Sequence, residues 1–166
     1  MDSQSFEALY TRWERALFNT IYHRIQHRQE ALDLVQEAYL KLWDRRESIH
    51  VEQAKAYLFQ TALNLTSNRL RARKLWHWVG LDGLLSSREG GEEKLELDQR
   101  ERQVRAAVAG LPDKIRTVLV LIRFAEMSYG EIASLLRIPE GTVGSRYNKG
   151  MRLLRTRLEG RDHEFE

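Results

Sequence analysis

Side chains that do covalent or metal chemistry are sparse in this 166-residue sequence. There is no cysteine, which rules out disulfides, thiolate zinc sites, iron–sulfur clusters and a cysteine nucleophile together. The one spacing that suggests a metal is His23 and His27, an i, i+4 pair, but no HExxH glutamate intervenes and no third ligand is evident. A metal-dependent helical enzyme has this pair as its only support; no enzyme activity, cofactor or small-molecule substrate is expected.

Three other rows of side chains are better suited to recognition than to catalysis. In ALDLVQEAYLKLWDR, the set Leu32, Val35, Ala38, Tyr39, Leu42 and Trp43 takes a core face, which leaves Asp33, Gln36, Glu37, Leu40 and Asp44 on another. Two carboxylates four apart repel mildly on an isolated helix. A basic partner with an apolar pocket would relieve both the repulsion and the exposed Leu40; a solvated acidic face partly balanced by Lys41 is the other reading. In KAYLFQTALNLTSNRLRARK, the core set is Leu58, Phe59, Ala62, Leu63 and Leu70, and the opposite face reads Tyr57, Gln60, Asn64, Ser67, Asn68 and Arg71. Amides and hydroxyls in a row suit hydrogen bonds to base edges, Tyr57 offers a stacking surface, and the basic tail Arg69 to Lys74 suits phosphates. A polar face of a structural bundle is the alternative. The third row is Thr142, Ser145, Arg146, Lys149 and Arg152.

Charge supports a polyanionic partner. The excess is small, 27 Lys and Arg against 24 Asp and Glu, but it is unevenly placed. No acid occurs from Gln53 to Leu81 or from Gly141 to Leu158, while each tract carries five basic residues. Such tracts are the electrostatic footprint of nucleic-acid binding, or else a pair of solvated helix faces. The mean hydropathy of −0.55 and the lack of any apolar run near the roughly 20 residues that span a bilayer argue against a membrane segment. MDSQSFEALY lacks the basic start and apolar stretch of a leader, so a cytoplasmic location is expected.

The elements that must position these rows are helices. Residues 1 to 79 contain neither glycine nor proline, the two residues that break helices. Between Leu75 and Arg100 the character changes: Gly80, Gly83, Gly90 and Gly91 fall here, and six acids face three bases, the composition of a flexible acidic linker. Periodicity resumes at Glu101, with Pro112 and Pro139 marking helix starts and Gly110 a helix end. The expectation is an all-α chain of two small helical domains, 1–74 and 101–160, joined by linker 75–100 and followed by a short tail, 161–166. The tryptophans of Trp76-His77-Trp78 either cap the first domain's core or serve a partner; packing is expected.

Ser128 to Leu158 has the punctuation of a helix-turn-helix. Ser128 and Glu131 form an S-x-x-E capping box, Ile132, Leu135 and Leu136 give the first helix an apolar face, and Pro139 suits the first position of the second. There Val143, Tyr147, Met151, Leu154 and Leu158 are expected to face the core. The opposite stripe, with its N-terminal residues, suits the major groove. Arg137 stands where such turns often have glycine, so a left-handed turn would cost about 1 kcal/mol, and Gly150 in mid-helix costs roughly as much against alanine. A freestanding helix-turn-helix DNA-binding regulator would need only this segment.

Taken together, FEALYTRW, DLVQEAYLKLW, AYLFQTALNLTSNRLRARK, the acidic linker, LPDKIRTVLVLIRF and MSYGEIASLLRIPEGTVGSR resemble, in order and over most of the chain, the extracytoplasmic-function (group four) sigma factors of bacterial RNA polymerase. The resemblance implies a promoter-specificity subunit that directs transcription initiation. Asp33, Gln36, Glu37 and Leu40 would then dock on the β′ clamp helices of core RNA polymerase. The loop from Asp44 to Gln53 and the helix bearing Tyr57, Asn64, Ser67, Asn68 and Arg71 would open and hold the minus-ten strand of promoter DNA. Thr142, Ser145, Arg146, Lys149 and Arg152 would read the minus-thirty-five element as duplex, and that domain would sit on the β flap. The linker would thread near the active site and RNA exit path. An anti-sigma factor, often membrane-anchored in this family, is an expected partner. Gly144 stands where many members have Lys or Arg, and YNKGM replaces a more basic, alanine-rich continuation, so a relative's minus-thirty-five sequence does not carry over.

Overall fold

The computed structural model describes residues 1–78 and 99–162, with side chains described over 1–75 and 99–159. The middle of the expected linker, the four terminal residues and the side chains of Trp76 to Trp78 lie outside the described residues. Among the described residues every regular element is an α-helix: α1 (Ser3–Ile25), α2 (Arg28–Asp44), α3 (Val51–Trp78), α4 (Gln99–Ala109), α5 (Asp113–Phe124), α6 (Tyr129–Leu136) and α7 (Glu140–Asp162).

Local chemistry marks the helix ends. Asp2 caps α1 by accepting from the Ser5 N–H at 2.8 Å, and Gln26 ends it in the left-handed region at φ 58°. His27 caps α2, its Nδ1 accepting from the Glu30 N–H at 3.2 Å. The two histidines of the i, i+4 pair are thus engaged separately, because His23 lies half-buried with its ring stacked on Phe124, centroids 4.8 Å apart.

α1, α2 and α3 pack on one another around Leu17, Ile21, Leu34, Ala38, Leu42, Leu58, Phe59 and Ala62, all buried. Within α2 the core positions are Ala31, Leu34, Val35, Ala38, Tyr39 and Leu42; Leu32, expected inside, is half-exposed and Leu34 takes the buried place. Because α2 is wedged between α1 and α3, two adjoining stripes are covered, and a single-face reading misplaces their edge.

The second module is built on α5, which is buried on several sides: Ile115, Val118, Leu119, Val120 and Leu121 are all inside. It packs against α7 on one side and against α1 on the other. As a result Val118, Leu121, Ala125, Met127, Ile132, Leu135 and Val143 belong to the same continuous apolar core as α1–α3, while Leu111, Ile115 and Leu119 form a smaller cluster with Leu153 and Leu154. Buried threonines satisfy their hydroxyls within the helix: Thr20 donates to the Ala16 carbonyl and Thr117 to that of Asp113, both at 2.8 Å.

The turn from α6 to α7 is left-handed at Arg137, with φ 54° and ψ 50°. Its N–H and that of Ile138 both reach the Ala133 carbonyl, so helix-end groups are satisfied despite the cost of a non-glycine residue there. Pro139 stands one residue before α7, and its carbonyl accepts from the N–H of Thr142 at 2.9 Å. Along α7 the buried line runs through Val143 and Gly150, with Tyr147 and Leu154 half-buried, whereas Met151, expected inside, is 43% exposed. The glycine occupies the core position because the helices cross too closely for a side chain: a Cβ at Gly150 would lie 2.6 Å from Leu119 Cδ1 and 2.8 Å from Ile115 Cγ2. Gly150→Ala, which in an exposed helix would stabilise by about 1 kcal/mol, should here cost about 1 kcal/mol net, since overpacking typically costs about 1–3 kcal/mol. A urea unfolding midpoint that rises instead would refute the tight crossing.

Candidate partner and nucleic-acid interfaces

The outward face of α2 presents Asp33, Gln36, Leu40 and Asp44 to solvent, with Glu37 half-exposed among them. Each carboxylate of the repelling pair has its own neighbour: Asp33 accepts from Gln29 Nε2 at 3.2 Å, and Glu37 pairs with Lys41 at 3.6 Å. Leu40 has no such cover. It is 62% exposed, although the preceding Tyr39 is buried against α1, its hydroxyl donating to the Tyr10 carbonyl at 3.4 Å. Burial pushes the Tyr39 phenol well above its usual range.

On α3 the polar row is internally braced. Gln60 Nε2 donates to Asn64 Oδ1 at 3.2 Å, Arg71 donates to Asn68 Oδ1 at 2.6 Å, and Ser67 Oγ accepts from Arg24 at 3.2 Å. These bonds hold amides and guanidinium in fixed geometry, with Asn64, Asn68 and Arg71 exposed. Tyr57 differs from the expectation of a free stacking surface: it is half-buried, packs on the core, and its hydroxyl points to the Lys41 carbonyl at 3.5 Å. The basic tail also divides. Arg73 pairs with Glu30 at 2.8 Å and donates to the Ile25 carbonyl at 3.1 Å, and Arg69 lies 3.8 Å from Glu30, so both staple α3 to the start of α2.

In the helix-turn-helix the capping box is complete, the Ser128 N–H donating to Glu131 Oε2 at 2.7 Å and the Glu131 N–H to Ser128 Oγ at 3.2 Å. The Ser128 N–H, with Lys55 Nζ 3.5 Å away, holds the Glu131 carboxyl below the usual range. Along α7, Ser145, Lys149 and Arg152 are exposed at i, i+4 and i+7. Thr142 and Arg146 are half-buried, and Arg146 turns away from that stripe into a groove between the modules. Asn148 is exposed and completes the stripe at i+3 from Ser145; sequence reading passed over it, though helical spacing alone was enough to find it.

That groove, with a cavity volume of about 600 Å³, brings two of the three rows together. Gln60, Asn64 and Ser67 of α3 line it along with Arg137, Ile138 and Arg146 of the helix-turn-helix. Arg24 lies at its floor with its side chain 4% exposed, and it ties the modules. Its Nη1 donates to the Leu63 carbonyl at 3.2 Å and to Thr66 Oγ1 at 2.7 Å, and its Nη2 to Ser67 Oγ at 3.2 Å and to both Asp113 oxygens at 3.2 and 3.3 Å. Burial lowers the pKa of this guanidinium while Asp113 opposes the shift; it stays charged. Other ties between the modules are Lys55 with Glu131 and Arg105, which donates to Gln26 Oε1 at 3.2 Å and lies over Tyr22. The α2 face is not part of this groove.

Known proteins match both modules. The sigma-70 region 2 family model covers residues 9–75, and that of sigma-70, region 4, covers residues 101–154. The chain is 32% identical to the RNA polymerase sigma-E factor of Streptomyces antibioticus over 95% of this chain and 86% of the relative. It is 29% identical to the ECF RNA polymerase sigma factor SigW of Bacillus subtilis strain 168, over 95% and 90%. In fold it is similar to the sigma factor RpoE in complex with the anti-sigma factor NepR from Bartonella quintana, with TM-score 0.66 and 22% identity over 87% of this chain and 90% of that one. It is likewise similar to CnrH in complex with the cytosolic domain of CnrY, with TM-score 0.71 and 20% identity over 96% and 90%.

The contact of His23 with Phe124 carries a pH signature. Burial first, then the charges of Arg105 and Arg116, lower the imidazole pKa from 6.5 to about 4. The unfolded chain therefore takes up this proton at a higher pH than the folded one. Stability is unaffected above the unfolded value of about 6.5 and falls as pH drops from there towards 4, by up to about 3 kcal/mol at about 1.4 kcal/mol per unit. Thermal melts between pH 7 and 4 should show this loss, and His23→Gln should flatten the slope; an unchanged slope in the variant would assign the acid lability elsewhere.

Proposed function

Since the chain belongs to the extracytoplasmic-function sigma factors of the sigma-70 family, promoter-specificity subunits of bacterial RNA polymerase, we propose that it divides the work of initiation between its two modules. The observation that carries this reading is that one chain presents both an exposed carboxylate-and-leucine face on α2 and an exposed polar and basic stripe on α7, each within its own matched region.

In this reading residues 1–74 form the first functional unit. Asp33, Gln36, Glu37 and Leu40 dock on the β′ clamp helices, where basic groups and an apolar seat satisfy a face left open among the described residues. The braced row of α3, Asn64, Ser67, Asn68 and Arg71 with Tyr57 at its edge, holds the unpaired minus-ten strand. Breaking a base step costs a few kcal/mol, and captured bases offset it through hydrogen bonds and stacking. Residues 101–160 form the second unit, seated on the β flap, with Ser145, Lys149 and Arg152 in the major groove of the minus-thirty-five duplex and Thr142 and Arg146 at its edges. Residues 75–100 connect them through the polymerase, near its active site. The chain supplies specificity and leaves catalysis to the polymerase, and it works in the cytoplasm where the polymerase is. As with the two solved relatives, an anti-sigma factor is a proposed partner.

Geometry adds a requirement. The two promoter elements lie about 25 base pairs apart, roughly 85 Å along the axis at about 3.4 Å per pair. Here α3 and the helix-turn-helix line one groove, so the modules must separate to engage both elements. A freestanding regulator would need neither the α2 face nor the region 2 match.

Reconstitution tests the reading: core polymerase with this protein should start transcripts at defined sites, and failure to initiate from any sequence of a genomic library would overturn it. Glu37→Lys should abolish association with core polymerase while leaving the circular-dichroism melt unchanged. Asn68→Ala should slow strand opening more than formation of the closed complex, read by permanganate footprinting against filter binding.

A further inference from the structure

Gly144 lies in the second turn of α7, beside Ser145, and its backbone is helical. Glycine at such a position costs helix stability, and no left-handed conformation repays it here. What it provides is space. A Cβ at Gly144 would lie 3.3 Å from Cε2 and 3.8 Å from Cδ2 of Tyr129, the first residue of α6. The tyrosine ring therefore rests on the bare backbone of α7. It is braced on a second side by Tyr147, with centroids 6.2 Å apart, and from behind by the capping box at the adjacent Ser128.

Tyr129 is nevertheless 36% exposed, and its hydroxyl has no hydrogen-bond partner among the described residues. A phenol flanked by Gly144 and Tyr147 with a free hydroxyl is a donor that loses little rotamer freedom on binding. The residues it touches, Gly144 and Tyr147, adjoin Ser145 and Asn148 of the exposed stripe that continues through Lys149 and Arg152. When a second helix enters the major groove, the first helix of the motif crosses the sugar–phosphate backbone. A hydroxyl on the first turn of α6 is thereby carried to a phosphate oxygen and not to a base edge.

We propose that Tyr129 is a further DNA-contacting residue, donating its phenolic hydrogen to a backbone phosphate flanking the minus-thirty-five element, and that Gly144 is a positioning residue whose missing side chain makes the seat. This inference rests on the reading of α7 as the duplex-binding helix.

Holoenzyme binding to promoter fragments tests it. Tyr129→Phe should weaken binding at least about tenfold, as loss of a hydrogen bond to a charged acceptor does. The factor should be the same on fragments with altered minus-thirty-five bases, because a phosphate contact carries no sequence information. The slope of log affinity against log salt should not change, because the hydroxyl carries no charge. Gly144→Ala should keep or raise the melting temperature and yet weaken binding, and the double variant should bind no worse than Tyr129→Phe alone. Wild-type binding by Tyr129→Phe, or additive losses in the double variant, would overturn the proposal. Arg152→Ala separates the two levels: if it weakens binding while Tyr129→Phe does not, only this contact fails; if neither does, duplex reading by α7 fails with it.

Discussion

A guanidinium taken out of water must be answered by charge and by hydrogen bonds, or it destabilises whatever buries it. Arg24 is answered by a carbonyl, two hydroxyls and a carboxylate. The first three come from α3 and the carboxylate from Asp113 at the start of α5, so the solvation of one side chain depends on both modules at once. The cost of separating them is uneven. Asp113 leaves with the second module and returns to water easily, being half-exposed already, whereas Arg24 keeps Leu63, Thr66 and Ser67 and gains access to solvent through the opened groove. An ion pair of this kind adds little net stability; what it does is join the start of α5 to α1 at one point, Asp113 on Arg24.

The same economy runs through the interfaces. Glu30 gathers Arg69 and Arg73, so half of the basic tail of α3 is spent on holding helices together and Arg71 is left facing out. Lys55 both pairs with Glu131 and lies 4.6 Å from the Trp13 ring centroid. Charges that look equivalent in a basic tract are therefore unequal in the fold, and net charge overstates what is offered to a polyanion.

This is also where the sequence could be read and where it could not. Helical content was legible because 79 residues without glycine or proline leave few alternatives, and the helix-turn-helix because its capping box and proline act over three or four residues. The exposed α2 face was legible from spacing, since Asp33, Gln36 and Leu40 fall on one side at any helical twist. Arg24 with Asp113 was not, because the partners are 89 residues apart and neither breaks a local pattern. Gly150 was missed for a different reason. Periodicity counts apolar side chains, and the core position of α7 is filled by the absence of one, which pushed the expected inward residue to Met151. Arg146 fits the stripe by residue type, yet the second module's seat on the first turns it into the groove.

The closed arrangement and the open one that the proposed function calls for make different surfaces available. Leu40 and its acidic neighbours lie outside the groove, and Ser145, Lys149 and Arg152 are exposed and do not line it, so either surface alone can be met by a partner without parting the modules. Under the proposed function, engaging both promoter elements would part them and expose Val118, Leu121 and their neighbours on α1 to water. A partner shifts such an equilibrium only by the difference in its affinity for the two states. In the proposed reading, duplex DNA on α7 meets Ser145, Lys149 and Arg152 in either state and gains only Arg146 from opening. In the same reading the polymerase does gain, since two separated seats, one for the α2 face and one for the second module, would be filled together only by the open form. In that reading opening is coupled mainly to the polymerase, and strand capture by α3 would follow from it.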